Sequence, residues 1–285
     1  MSTARRAPVI PVAPCLSIFD PVYIGVDEYA RPVYLDLVYR NLLAGGEPGG
    51  GKSGLLNAVT AHAALCADAR LILMDGKLVE LGLYRDCADV FVGPHLGDAI
   101  TVLRRLQTVM DNRYAWLLAQ GRRKIHPTDG VEVIVVVIDE IALYSATLGT
   151  KPEQEEFSAL LRDLVARGRA AGIPVVAATQ RPSWDIIPAS LRDLFGYRAA
   201  FRCTTTNSSN IVLGQGWAEQ GYTASDITPQ NQGECLLLAE GGIPRRVKVS
   251  YLTDTDIKAI AAHAAWTRRP TTTHTTTVGD YRSAA

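Results

Sequence analysis

The chain has no excess charge of either sign. Lys+Arg 29 balances Asp+Glu 29 over 285 residues. That balance excludes a small, uniformly basic protein that coats nucleic acid through bulk charge, because such binding grows with the phosphates neutralised. It leaves a local basic surface open. Lysine is scarce, occurring only at Lys52, Lys77, Lys124, Lys151, Lys248 and Lys258, so a lysine inside a motif is informative. Long hydrophobic runs are missing too. Residues 133–138 form one of the longest, far below the roughly 20 apolar residues of a membrane-spanning helix. Arg5 and Arg6 have no apolar stretch behind them, so neither a signal peptide nor an anchor is expected there. Cys15, Cys66, Cys87, Cys203 and Cys235 are scattered, with no CxxC pair. This argues against a zinc site or disulfide framework and for free thiols in a reducing cytoplasm. His62, His95, His126, His263 and His274 show no metal-ligand spacing. What remains, 47% hydrophobic and 20% charged, is an ordinary globular composition with enough length for a sizeable core.

Residues 1–21 carry Pro8, Pro11, Pro14 and Pro21 and read as an extended lead-in. Residues 22–26 and 32–38 form a β-hairpin pattern around Asp27-Glu28-Tyr29-Ala30. Short apolar runs at 41–44, 71–74, 133–138, 174–178 and 197–201 then alternate with helical stretches at 52–66, 97–120 and 154–171. Ile100, Leu103, Leu106, Val109, Tyr114, Leu117 and Leu118 mark one face of the second helix. Phe157, Leu160, Leu161, Leu164 and Val165 mark one face of the third. Residues 234–238 and 246–249 suggest a late hairpin. The alternation predicts a mainly parallel α/β sheet covered on both sides. A domain over 22–252, a short helix at 253–267 and a disordered Thr-rich tail at 268–285 complete the expected layout.

Gly46-Glu47-Pro48-Gly49-Gly50-Gly51-Lys52-Ser53 fits GxxxxGK[ST]. A phosphate chain needs several backbone N–H groups pointing into one concavity, and glycines permit that shape. The following helix adds its positive N-terminal end. The pattern assigns nucleotide binding to Gly46, Glu47, Pro48, Gly49, Gly50, Gly51, Lys52, Ser53 and Gly54, with Lys52 on the β/γ-phosphates and the Ser53 hydroxyl on Mg²⁺. The apolar strand at 133–138 delivers Asp139-Glu140 at its C-terminal end, where ligands bind in open α/β sheets. Asp139 is the expected second Mg²⁺ holder, through water, and Glu140 the residue that polarises an attacking water. The adjacent acids point to hydrolysis of ATP rather than transfer to a small molecule. Gln180, in Ala178-Thr179-Gln180-Arg181-Pro182, is placed to sense the γ-phosphate.

Positive charge on the developing γ-phosphate accelerates phosphoryl transfer, and the phosphate loop contains no arginine. Arg198 and Arg202 are candidates to reach a neighbouring copy's site, as are Arg113 and Arg169. Arg104, Arg105, Arg113, Arg122, Arg123 and Lys124 form a local basic cluster, which a solvated helix face explains as well as DNA does.

These blocks in this order resemble the FtsK/SpoIIIE-type DNA translocases, and among them the small transfer proteins of actinomycete conjugative elements. The resemblance spans roughly 22–252. It rests on Asn41-Leu42-Leu43-Ala44-Gly45-Gly46 through Ser53, Met74-Asp75-Gly76-Lys77-Leu78-Val79-Glu80-Leu81, Met110-Asp111-Asn112-Arg113-Tyr114 and Val137-Ile138-Asp139-Glu140. It continues through Arg167-Gly168-Arg169-Ala170-Ala171-Gly172-Ile173, Ala178-Thr179-Gln180-Arg181-Pro182-Ser183, Arg198-Ala199-Ala200-Phe201-Arg202 and Leu213-Gly214-Gln215-Gly216. Gly76 departs from the family's Asp-Pro-Lys. The resemblance implies a RecA-like P-loop NTPase of the ASCE type that pumps double-stranded DNA using ATP and Mg²⁺. It also implies a ring, hexameric in expectation, with Lys52, Ser53, Asp139, Glu140 and Gln180 from one subunit and an arginine from the next. With only a short helix and the Thr-rich tail after 252, the expectation is a cytoplasmic motor lacking the family's anchor and sequence-reading module, recruited to the membrane or septum by a partner. Two other readings stay open: an ATPase energising protein export, like the FtsK-type components of type VII secretion, and a slow ATPase switch.

Overall fold

The computed structural model describes residues 16–268. The expected disordered tail therefore lies outside the described residues, apart from Arg268, and so does most of the lead-in. The described end of the lead-in is docked. Leu16 bridges to Cys66, Ser17 and Ile18 bond the Asp68 carboxylate, and Ile18 is buried.

One ten-stranded sheet organises the chain, in the order β2-β1-β10-β9-β8-β3-β7-β6-β4-β5. Its parallel half comprises β3 (Leu42–Gly45), β4 (Ala69–Met74), β5 (Val90–Val92), β6 (Val133–Ile138), β7 (Val175–Thr179) and β8 (Tyr197–Phe201). Side chains alternate between the faces. Leu71, Leu73, Val135 and Val137 enter one core, and Ile72, Met74, Val136 and Ile138 the other. Both faces are buried, which is why these strands read as unbroken apolar runs. Each fully buried aliphatic side chain contributes about 1.5–3 kcal/mol.

The antiparallel half comprises β1 (Val22–Asp27), β2 (Pro32–Leu35), β9 (Glu234–Ala239) and β10 (Arg245–Val249). The sequence suggested two separate hairpins. They are continuous instead, because β1 pairs with β10 and β9 with β8, so four antiparallel strands extend the parallel sheet. Helix α1 (Lys52–Leu65) packs with α6 (Asp254–Thr267) on one face. Helices α2 (Leu96–Ala119) and α3 (Lys151–Arg167) cover the other, with the short α4 (Ala189–Arg192) and α5 (Thr206–Leu213) beside them.

Several boundaries differ from the sequence reading. Helix α3 starts at Lys151 because Thr150 and Glu153 form a reciprocal capping box, and it ends at Arg167, where Ile173 N–H returns to Gly168 O at 2.9 Å. Leu118, placed on the apolar face of α2, is 81% exposed while Leu117 is buried. Adjacent helical residues point about 100° apart, so only one of the two faces the core. Strand β5 is only three residues long, and α5 is built from poor helix formers held by the Thr205 cap. Neither carries a periodic signal.

Candidate nucleotide and catalytic site

In the parallel half every strand ends at the same edge. Gly45 lies beside Thr179, and Met74 beside Ile138. The segments leaving β3, β4, β6 and β7 therefore meet in one place. They line a cavity of about 640 Å³ with Pro48, Gly49, Gly51, Lys52, Ser53, Gly54, Glu80, Asp139 and Gln180. Of the expected phosphate-loop residues, Gly46, Glu47 and Gly50 sit behind this lining. The Gly46 and Glu47 carbonyls accept hydrogen bonds from Lys52 Nζ at 2.6 and 2.7 Å, and Gly50 O accepts one from Gly233 N.

Two glycines are required by space. A Cβ on Gly46, whose φ is 150°, would lie 2.8 Å from Phe201 Cβ and 2.9 Å from Arg202 O. A Cβ on Gly51, φ 103°, would lie 2.4 Å from Gly233 Cα. The loop is thus clamped between β8 and the turn before β9, and α1 begins immediately after Gly51.

The charged groups are deeply set. Burial pushes the Lys52 ammonium down to about 8, opposed by attraction to Glu140 and Asp139. Burial pushes the Asp139 carboxyl up to about 7, aided by Asp75 and Glu80. Asp139 is 5% exposed and its Oδ2 has no hydrogen-bond partner. An orphaned buried carboxylate oxygen facing a phosphate loop, with the Ser53 hydroxyl nearby in the lining, is the hard-oxygen donor set that Mg²⁺ shares with phosphates. The residues present fit that ion.

Glu140 is fastened at both oxygens. Thr179 Oγ1 donates to Oε1 at 2.7 Å, Gln180 N donates to Oε2 at 2.8 Å, and Ala142 N donates to Oε1 at 3.2 Å. Lys77 Nζ stands 4.0 Å from Oε2. Asp75, fully buried, accepts from the N–H groups of Lys77, Leu78 and Leu81, so one carboxylate shapes the loop that carries Lys77 and Glu80.

The candidate arginines do not line the cavity. Arg202 lies 3.3 Å from Glu47 of its own phosphate loop, where Thr204 also bonds Glu47. Arg198 pairs with Asp193 at 3.4 Å beside Gly214, and burial lowers its guanidinium. Arg113 donates to the carbonyls of Ala171, Gly172 and Glu132, and Arg169 to Tyr39 O and Glu240. In the basic cluster Arg104 pairs with Glu156, Arg122 with Asp129, and Lys124 lies over the Tyr39 ring. Arg105 and Arg123 are exposed and have no ion pair among the described residues.

Sequence reasoning gave Thr179 no role, and it missed the far wall of the cavity, Gln232, Gly233 and 248–251. Thr179 lies inside the Ala-Thr-Gln-Arg-Pro block, so a signal for it existed. The far wall comes from strands remote in sequence and carries no local pattern.

A sequence model of the FtsK/SpoIIIE family matches residues 20–218. The chain belongs to that family. Within it, the DNA translocase FtsK of Treponema pallidum is 31% identical over 265 residues, covering 86% of this chain and 32% of the relative. The DNA translocase FtsK of Pseudomonas aeruginosa is 29% identical over 287 residues, covering 87% of this chain and 34% of the relative. The chain thus spans about a third of the length of these curated relatives. Among solved structures, the pCW3 conjugation coupling protein TcpA, bound to ATPγS, has a TM-score of 0.74 at 22% identity, covering 86% of this chain and 70% of that one. The cytoplasmic domain of the Thermomonospora curvata type VII secretion ATPase EccC has a TM-score of 0.66 at 20% identity, covering 89% of this chain and 32% of that one. These likenesses show the RecA-like P-loop fold of the FtsK/SpoIIIE chain. Among the described residues, no helix is long and apolar enough to cross a membrane.

Proposed function

We propose that this FtsK/SpoIIIE-family chain is an ATP-hydrolysing motor that moves double-stranded DNA, working as a ring of identical copies, six in expectation. The observation that carries the reading is the buried Asp139 in the lining of the phosphate-loop cavity, with buried Glu140 directly behind it and bonded to the backbone of Gln180, which also lines that cavity. Loop amides and Lys52 hold the phosphates. Ser53 and Asp139 would hold Mg²⁺, which would supply charge neutralisation on the phosphate oxygens. Glu140 takes the proton of the attacking water once released from Thr179 and Gln180 N–H, and Gln180 follows the γ-phosphate. An arginine from the adjacent copy completes the site, with Arg198 and Arg202 as the candidates. Similarity to curated DNA translocases supports DNA as the moved polymer, and intercellular transfer through a membrane-anchored partner is the setting proposed.

The test is ATPase rate with and without double-stranded DNA, for the parent and for Lys52→Ala. Stimulation by DNA that Lys52→Ala abolishes supports the motor. A rate indifferent to DNA and raised by a secreted peptide transfers the reading to protein export, and a slow rate indifferent to both leaves a switch. Mixing Glu140→Gln with Arg198→Ala or Arg202→Ala chains restores activity where that arginine acts in trans. Absence of rescue at every ratio removes it from that role.

A further inference from the structure

The cavity of about 640 Å³ is lined by more than the phosphate loop and its acids. Its far wall is Gln232, Gly233, Lys248, Val249, Ser250 and Tyr251, contributed by the antiparallel half of the sheet. This wall is fixed to the loop by backbone bonds: Gly233 N–H donates to Gly50 O at 2.9 Å, and Val249 N–H to Gly233 O at 2.9 Å. Tyr251 is the last residue of this wall. It is 80% exposed and has neither a hydrogen-bond nor a ring partner among the described residues. Its backbone is pinned on both sides. Ser250 N–H donates to Ile24 O at 2.8 Å, and the Thr253–Asp256 capping box starts α6 two residues later. A large exposed ring, without a hydrogen-bond or ring partner among the described residues and on a pinned backbone, therefore lines the same cavity as the phosphate loop.

We propose that Tyr251 stacks on the base of the bound nucleotide and so supplies a base subsite to the nucleotide site. The assignment rests on the phosphate loop holding a nucleoside triphosphate. An exposed tyrosine offers area at low conformational cost, because few rotors must be fixed. Stacking on an aromatic face tolerates any base, since every base has a π-face. Tyr251 thus adds affinity without selecting adenine, and the polar rim of Gln232, Lys248 and Ser250 is left to contact base edge or ribose. Lys248 Nζ is turned onto Gln232 O, which orders that rim.

The experiment titrates the parent, Tyr251→Ala and Tyr251→Trp with ATPγS, GTPγS and inorganic tripolyphosphate by calorimetry at fixed Mg²⁺. Tripolyphosphate lacks a base, so it reports on the phosphate loop separately and shows that each variant is folded. Tyr251→Ala should bind ATPγS and GTPγS about tenfold more weakly by the same factor, with tripolyphosphate unchanged. Tyr251→Trp should bind both nucleotides at least as tightly as the parent. Unchanged ATPγS affinity in Tyr251→Ala overturns the proposal, as does an equal loss for tripolyphosphate. A parent that binds tripolyphosphate as tightly as ATPγS overturns it too, while leaving the phosphate loop intact. Slowed DNA-dependent turnover with unchanged ATPγS affinity places the ring at a contact between copies and also overturns it.

Discussion

The two halves of the sheet reach the same cavity by different means. In the parallel half every strand runs the same way, so β3, β4, β6 and β7 each deliver polar groups to one edge: the phosphate loop, Asp75, Asp139–Glu140 and Thr179–Gln180. In the antiparallel half alternate strands point away. Only the turn before β9 and the end of β10 arrive, and they bring Gln232, Gly233, Lys248, Val249, Ser250 and Tyr251, but no carboxylate, to the lining. Strand direction therefore decides which half can concentrate acid charge. The parallel half gathers the acids and the phosphate loop, and the antiparallel half walls the space around them.

The comparison is sharpened most by Glu140→Gln, which should slow ATP turnover at least ~100-fold while ATPγS still binds. Turnover within tenfold of the parent would remove Glu140 as the base. Stability should separate the halves next. Gly25→Ala places a Cβ 2.1 Å from Lys248 O at a φ of 146°, and should cost about 1–3 kcal/mol by prising β1 from β10. Asn41→Ala removes fully buried bonds to Val165 O and Val175 N at 2.7 and 2.8 Å, and should cost a similar ~1–3 kcal/mol. Chemical denaturation reads both, and tripolyphosphate titration well below the transition should find the phosphate loop intact in Gly25→Ala. Loss of that binding would break the division of labour. Thr179→Val removes the shorter of the two bonds to Glu140 Oε1, leaving Ala142 N–H at 3.2 Å, and should raise DNA-independent turnover about threefold, the scale of one net hydrogen bond; an unchanged or lower rate would show that Thr179 does not restrain the base. Asp163→Asn should act least. The Arg167 bond depresses the Asp163 carboxyl, with burial opposing, so its contribution is present above the unfolded carboxyl's titration near ~4 and fades as pH falls through the lower folded value. Denaturation midpoints should show a loss of about 0.2–1 kcal/mol at pH 7 that narrows below pH 4.

The parallel half was legible because its signals are local. A strand buried on both faces shows as a run such as 133–138, and each candidate ligand residue lies in the segment that follows its strand. Gly46, Lys52, Asp139, Glu140 and Gln180 could be read this way, and the structure gathers their segments. The antiparallel half was legible only in pieces. Its hairpins showed, but the β1–β10 seam joins residues more than two hundred positions apart, and no local pattern announces such a pairing. Tyr251 was invisible for the same reason: its place beside the phosphate loop follows from the seam. The arginines were hardest, since a guanidinium's partner depends on side-chain reach. Arg113 looked available in sequence and is committed to three carbonyls.

Helix α1 starts at the phosphate loop and ends at Cys66, where Leu16 bridges on one side. Close by, Arg268 donates to Ala63 O and Ala64 O in the helix's last turn. Both ends of the described fold are therefore moored to the far tip of the helix whose first residue is Lys52. That helix is about 21 Å long. The phosphate loop at one end of this helix and both ends of the described fold at the other are therefore separated by a single helix of fourteen residues.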